Sequence, residues 1–245
     1  MTNIHTNNLE RDWVQLGVLF GCEPSGLTPD LELLLLDTAR KCPTNARLLP
    51  LTVTWLVAYG QFVARHRLKR LVQDSLEPEA QAVLGLVIEE AVKHGATRDL
   101  LIVSEVCQPR KCPIPLSNVQ RHKRALERIA EQRASALSQR WGVWASAVIL
   151  KKDAVRPVRW LLSRNPEYIE RIIRKGDLRV SIIETLRRDI ANQIASSESA
   201  LTRLSGATRT AVRKALAALE LEGAVTVGHE PSNERDHPVR LLNTA

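Results

Sequence analysis

Apolar side chains recur three and four positions apart along most of the chain, which is the spacing of one face of an α-helix. Alternating apolar and polar positions, which are typical of a half-buried strand, occur only at the carboxyl end. Glycines and prolines interrupt the helical pattern and indicate where helices end. The predicted helices are residues 9–20, 29–41, 48–73, 77–94 and 116–140. The sequence therefore predicts a mainly α protein with a multi-helix amino-terminal domain.

The longest apolar stretch is too short and too interrupted to span a membrane. It covers residues 48–63 and contains Pro50, Thr52, Thr54 and Gln61, whereas a spanning helix needs about 20 consecutive apolar residues. The amino terminus has neither the basic start nor the apolar run of a secretory signal. We therefore expect a cytoplasmic protein with no membrane partner.

The four cysteines are sparse, and without an export signal they favour reduced thiols over disulfides. Cys107 and Cys112 are separated by four residues, and His122 follows, a spacing that is compatible with zinc but not standard for it. We expect structural thiols, no metal and no cofactor, although this pair leaves the metal question open. The proline-rich segment 108–115 is predicted to be a loop and a possible hinge.

Positive charge is confined to the second half of the chain. Residues 1–110 contain 11 Lys+Arg against 13 Asp+Glu, whereas residues 111–245 contain 24 against 14, so the net charges are −2 and +10. The positive charge of the second half would attract polyanions through counterion release, and nucleic acid is the commonest polyanion in a cell. Trp141, Trp144 and Trp160 lie among apolar residues and are interpreted as the joint between the two halves rather than as base-stacking platforms.

A more specific pattern begins at Asp177, which is placed to cap a helix with apolar residues along one face. Ser197 can cap a short second helix that ends at Ser205 and Gly206. Thr208 then caps a third helix, which ends at Gly223 and has Val212, Ala215, Leu216 and Leu219 on its predicted buried side. Two helices joined by a short glycine-containing turn are typical of a helix-turn-helix unit.

A short apolar strand, residues 224–227, follows the third helix, and a second one is predicted over residues 237–242 after a polar tip. Three helices and a terminal hairpin resemble the winged helix-turn-helix superfamily, which many bacterial transcription regulators use. The resemblance covers residues 177–245. We accordingly divide the chain into a helical domain (1–150), a helical connector (151–176) and a winged helix-turn-helix domain with a short β-hairpin wing (177–245).

This resemblance implies that the third helix, residues 208–220, enters the major groove of double-stranded DNA with its amino-terminal end leading. Arg209, Thr210 and Arg213 would then face base edges, with phosphate contacts from Ser197, Ser199, Thr208 and Lys214. In the wing, Arg235 and Arg240 would add backbone or minor-groove contacts, although Asp236 and Pro238 replace part of the expected basic run.

No glycine-rich phosphate loop, zinc-protease helix or nucleophile-elbow pattern is present, so we expect no enzyme. The leading hypothesis is a sequence-specific transcriptional regulator that binds DNA as a homodimer, with the amino-terminal domain serving dimerisation, a protein partner or a signal. The alternative is a non-enzymatic assembly or adaptor protein of a mobile-element, defence or replication system that uses the winged helix for DNA or for protein docking. The target sequence, the regulated process and the direction of regulation stay open.

Overall fold

The computed structural model describes residues 4–190, 196–228 and 238–242. The first half of the chain is a series of helices: α1 (Ile4–Gln15), α2 (Leu31–Lys41), α3 (Leu48–Tyr59), α4 (Arg65–Ser75), α5 (Pro78–Lys93) and α6 (Leu101–Ser104). The second half adds α7 (Asn118–Arg121), α8 (Arg124–Arg133), α9 (Ala136–Arg140), α10 (Val158–Arg164), α11 (Tyr168–Ile173), α12 (Leu178–Glu184), α13 (Glu198–Ser205) and α14 (Arg209–Leu221). The predicted mainly α class is confirmed.

In the described part of the chain, five short strands form two small sheets. Strands β1 (Ile114–Pro115) and β2 (Val143–Trp144) pair in parallel. Strands β3 (Ser196–Ser197), β4 (Val225–Val227) and β5 (Pro238–Leu241) form an antiparallel sheet with β5 in the centre. The sequence pattern indicated strands only at the carboxyl end, so β1 and β2 contradict it.

Helix α5 is the central element of the larger apolar core and packs against α2, α3, α6 and α9. Pro78 occupies its first turn, where a missing N–H costs no hydrogen bond. Apolar side chains on all sides of the helix are buried, which is the pattern of a helix surrounded by other helices. This core contains buried residues from Leu9 to Tyr168.

Gly85 lets α5 approach the indole of Trp141, because a Cβ atom at this position would overlap the six-membered ring. We therefore predict that Gly85→Ala lowers the free energy of unfolding, by about 1–3 kcal/mol, even though alanine is the better helix former. Urea unfolding monitored by far-UV circular dichroism measures the loss. The same substitution in a Trp141→Phe background should cost less, and an equal cost in both backgrounds would show that the indole is not the obstacle.

The predicted helix 48–73 is interrupted. Helix α3 passes at Gly60 into a 3₁₀ turn, Gly60–Phe62, and Val63 is extended before α4 begins. A Cβ atom on Gly60 would lie 2.9 Å from Leu100 Cδ1, so the chain passes Leu100 closely at this point. The amide of Ala64 donates a hydrogen bond of 2.8 Å to the buried carboxylate of Glu32. Tertiary contacts thus stabilise the interruption, and the helical spacing of apolar residues does not predict them.

Two other predicted helices also have different bounds. Residues 9–20 were predicted as one helix, but α1 ends at Gln15 and Gly17 adopts a positive φ of 87°. Residues 116–140 contain three short helices, because Lys123 and Ser135 are extended, and Ser135 caps α9 by accepting from the amide of Ser138. In α8 only Ala130 is buried, so packing does little to enforce one continuous helix.

The segment 108–115 is tied to the body rather than free as a hinge. The amides of Arg110, Ile114 and Leu116 donate to the carbonyls of Trp141, Gly142 and Trp144, respectively, at 2.9–3.2 Å. Trp141 packs on Gly85 of α5 and Trp160 lies against Gly17, so both tryptophans connect the second half of the chain to the first, in agreement with their interpretation as the joint between the halves.

Candidate functional site

A second apolar core lies in the carboxyl-terminal part and contains buried residues from Ile182 to Val239. Its first helix, α12, is capped by Asp177, whose carboxylate accepts from the amides of Arg179 and Val180. The helix continues as a π turn, Thr185–Asp189. The predicted cap is confirmed, and the buried face of α12 contributes Ile182 and Ile183 to this core.

Helix α13 and the turn after it follow the predicted local signals. The Ser197 hydroxyl accepts from the amide of Ala200 at 3.1 Å and caps the helix. Leu201 is buried, whereas Leu204 is half-buried. Gly206 ends the helix at a φ of 64°, the left-handed conformation that glycine adopts without a Cβ penalty.

Helix α14 has two sharply different faces. Thr208 caps it by accepting from the amide of Ala211 at 3.3 Å. The four apolar residues predicted to face inward, Val212, Ala215, Leu216 and Leu219, are all buried. The opposite face begins with exposed polar and basic residues, namely Thr208, Arg209, Thr210, Arg213 and Lys214.

Strands β4 and β5 form the predicted antiparallel pair, with Thr226 opposite Arg240 and Val227 opposite Val239. Val225 and Val239 are buried, while Arg240 is exposed. Strand β3, which was not predicted, adds to the other edge of β5 just before α13 begins. Residues 229–237, between β4 and β5, lie outside the described residues, and so does the predicted site residue Arg235.

The structure brings two of the predicted site residues together at a third residue that sequence reasoning missed. Arg209 and Arg213 lie one helical turn apart, and the Nε of each donates to Oε1 of Glu198, at 2.6 and 2.7 Å. Glu198 is the first residue of α13, and its side chain is only 6% exposed, whereas the arginine side chains are 43% and 59% exposed. One buried carboxylate therefore anchors two exposed guanidinium groups.

The charge of Glu198 depends on these arginines. Burial alone would raise its pKa, but the hydrogen bonds from Arg209 and Arg213 outweigh burial and hold the pKa below its usual range. The carboxylate thus stays ionised at neutral pH and leaves the cluster of three with one net positive charge.

The other predicted site residues are arranged around this pair. Ser199 is exposed on α13, and Ser197 is half-buried with its hydroxyl engaged in the cap. Lys214 follows Arg213 on α14, and Arg240 is on a different element, the central strand β5.

Charged side chains connect α12 and the π turn to the helical body. Arg171, which is 1% exposed, donates to the buried carboxylate of Glu32 at 2.7 and 3.1 Å and forms an ion pair with Glu184 at 2.8 Å. Burial would raise the pKa of Glu184, but Arg171, Arg188 and Arg187 lower it to about 2. This side of α12 is therefore fixed by buried, fully charged groups.

A second set of ion pairs extends the same connection to α4. Arg67 is 1% exposed and contacts Asp30 at 2.7 Å and Asp189 of the π turn at 2.6 Å. Arg70, one turn along α4, forms an ion pair with the same Asp189 at 2.5 Å. Helix α4 also packs directly on α12 and α13. These ion pairs, here called the charged joint, link α12 and the π turn to the helical body, and α13, which holds Glu198, packs on α4 and α12 beside them.

The cysteines and histidines that could bind a metal do not form a metal site in the part of the chain that the structure describes. Burial raises the pKa of Cys107 to about 12, so this thiol is protonated, and Cys112 is exposed. Across residues 4–190, 196–228 and 238–242, no group of three or more His, Cys, Asp or Glu side chains is arranged to hold a metal. The helices within those ranges are all too short or too polar to cross a bilayer.

Comparisons with known proteins identify no relative: no protein-family model, curated protein or solved structure matches this chain. Functional inference accordingly depends on the geometry itself.

Proposed function

We propose that residues 177–242 form a winged helix-turn-helix module that binds double-stranded DNA, with α14 in the major groove and the β4–β5 hairpin as the wing. The observation that supports this most is the division of α14 into an apolar face in the core and an exposed face that begins with Arg209, Thr210 and Arg213. A helix-turn-helix protein contacts bases with the amino-terminal end of such a helix.

The chemistry of this end of α14 suits base recognition. A guanidinium can donate two hydrogen bonds to the O6 and N7 acceptors of guanine, and a threonine can contact a base edge or a thymine methyl group. Arg209 and Arg213 are held through Nε by Glu198, so less side-chain entropy is lost when they bind. Glu198 is thus proposed as a positioning residue for the two arginines.

Phosphate contacts would flank the base contacts. Ser199 and the capping residues Ser197 and Thr208 lie at the amino-terminal ends of α13 and α14, where helix dipoles favour anions. Lys214 on α14 and Arg240 on β5 supply exposed cations. These contacts would set the orientation of the module without selecting a sequence.

We further propose that the protein is a non-enzymatic transcriptional regulator that acts as a homodimer, because a dimer doubles the contacts and matches a two-fold symmetric site. The helical body is joined to the module through Arg171 and Arg67. In the dimer it would hold the α14 helices of the two protomers at a fixed distance and orientation.

The direct experiment is binding of the full chain to a pool of random duplexes, followed by sequencing of the bound fraction and mass measurement of the complex. The proposal predicts an enriched two-fold symmetric motif and an affinity that falls steeply between about 50 and 200 mM salt. A chain that binds no duplex at low salt would contradict it.

A prediction specific to the positioning role concerns Glu198→Gln. Loss of the carboxylate frees two arginines, and ordering one long side chain costs about 0.5–1.5 kcal/mol. We expect discrimination between the selected duplex and a scrambled one to fall about tenfold, while affinity for the scrambled duplex rises because a negative charge is lost. Competition titrations measure both. Glu131→Gln, which removes an exposed carboxylate on α8, should leave the discrimination between the selected and the scrambled duplex unchanged.

A second candidate function is protein docking by the same module. Leu221 at the end of α14 is 91% exposed, a large apolar side chain in contact with solvent. An assembly or adaptor protein could use it as an anchor. This alternative predicts that Leu221→Ser abolishes capture of a protein partner, whereas the DNA proposal predicts no change in duplex affinity for that variant.

A further inference from the structure

Two adjoining cavities lie on the helical body, and all their lining residues precede the proposed DNA-binding residues in the sequence. One, of about 220 Å³, lies between α2, the start of α5 and the segment that includes Arg110 and Arg121. The other, of about 380 Å³, is lined by Pro78, Glu79 and residues 108–112. Glu79 and Arg110 line both cavities, so the two adjoin, and they are together called the recess.

The positive charge of Arg110 is largely buried, and the nearest carboxylate balances it poorly. Its side chain is 21% exposed, and its Nε is buried without any hydrogen-bond acceptor. The carboxylate of Glu79 lies 3.8 Å away from Nη1, beyond hydrogen-bond distance, and the Glu79 side chain is itself 69% exposed. The Nε atoms of Arg70 and Arg171 also lack an acceptor, but both of those guanidinium groups form close ion pairs with carboxylates, whereas Arg110 does not.

Arg121 faces the same cavity and is also without a carboxylate. Its Nε and Nη2 donate to the backbone carbonyls of Pro115 and Leu116, at 2.8 and 3.2 Å. Burial and the neighbouring charge of Arg110 lower its pKa. Among the described residues, no Asp or Glu lies within ion-pair distance of its guanidinium group. The third arginine in this cavity, Arg40, differs because it is paired with Asp37 and Glu77.

The backbone holds Arg110 in this position. Its amide donates to the carbonyl of Trp141 at 3.1 Å. Gly142, at a φ of 66°, approaches so closely that a Cβ atom would lie 2.6 Å from the Arg110 carbonyl oxygen. These contacts fix the backbone from which the Arg110 side chain extends toward the cavity.

We propose that this recess binds a small molecule bearing a phosphate or carboxylate group, with Arg110 and Arg121 as the donors to the anion. An anion between the two guanidinium groups would offset their mutual repulsion. The cavity of about 380 Å³ is in the range of small-ligand sites, and the cavity of about 220 Å³ that both arginines line suits a small anionic group. The inference is independent of DNA binding, because none of the residues involved belongs to the proposed DNA-binding module.

The test is isothermal titration calorimetry of the full chain, without DNA, with inorganic phosphate and with citrate at constant ionic strength. We expect saturable binding of at least one of the two, and the comparison shows whether the recess prefers a phosphate or a carboxylate. Arg110→Ala and Arg121→Ala should each weaken it about tenfold or more, whereas Arg124→Ala, which removes an exposed charge on α8, should leave it unchanged.

Thermal unfolding separates a binding role from a structural one. Without anion, Arg110→Ala should unfold at or above the temperature of the unmodified chain, because it removes a repulsive and incompletely bonded cation. Stabilisation by the bound anion should disappear in that variant. Absence of saturable binding of either probe at up to about 10 mM, or unchanged binding by a folded Arg110→Ala variant, would overturn the proposal.

Discussion

Replacing Arg171 with leucine is expected to lower the free energy of unfolding by about 3–5 kcal/mol. The guanidinium is 1% exposed and lies between Glu32 and Glu184, which are 0% and 2% exposed, and it also donates to the carbonyl of Phe62 at 2.8 Å. Leucine would remove one of the counter-charges of two buried carboxylates, leaving Glu32 with Arg67 and Glu184 with Arg187 and Arg188. Urea unfolding of the full chain at neutral pH measures the loss.

Two further variants separate this mechanism from the effect of an altered side-chain volume. Arg159→Leu, on the exposed side of α10, should change stability by less than about 0.5 kcal/mol. Adding Glu32→Gln to Arg171→Leu should recover part of the loss, because one of the two carboxylates that lost Arg171 then carries no charge. If Arg171→Leu costs no more than Arg159→Leu, the charged joint does not stabilise the protein in the way that we describe.

The combined substitution Arg209→Ala and Arg213→Ala is expected to weaken binding to the selected duplex at least about thirtyfold. Each bidentate arginine–guanine contact contributes about 1–3 kcal/mol of discrimination, so two contacts correspond to a loss of about 2 kcal/mol or more. The salt dependence of binding should also become shallower as two cations are lost. Fluorescence anisotropy with a labelled duplex at several salt concentrations gives both quantities.

Helix α8 offers a matched control, because Arg124 and Arg128 are exposed and have the same four-residue spacing. The combined change Arg124→Ala and Arg128→Ala removes the same charge from the helical body and should alter the affinity less than about threefold, since its effect is long-range and screened. Equal losses in the two double variants would mean that net charge, rather than the position of α14, determines binding.

The features that could be predicted from sequence are those fixed by neighbouring residues. Asp177, Ser197 and Thr208 were each identified as caps because a short polar side chain precedes an apolar repeat, and each accepts the expected backbone N–H. Gly206 was identified because a left-handed turn favours glycine. The buried and exposed faces of α14 follow in the same way from helical periodicity.

Features that depend on contacts between distant residues were missed. Glu198 lies 11 and 15 positions before its two arginine partners, and an acidic residue in a first helical turn already has a local explanation in the helix dipole. Glu32 and Arg171 are 139 positions apart in the sequence, and no periodic pattern of residues predicts that they pair. The interruption at Gly60 likewise depends on the distant Leu100 and Glu32.

The central claim is that Arg209 and Arg213 contact base edges, and a double-mutant cycle between protein and DNA tests it most directly. Each guanine of the selected duplex is replaced in turn by 7-deazaguanine, which lacks the N7 acceptor, and affinities are measured for the unmodified chain and for the double alanine variant. The account predicts that at least one such replacement weakens binding of the unmodified chain about fivefold or more but has no effect on the variant. If every replacement weakens both proteins equally, these arginines do not contact the bases.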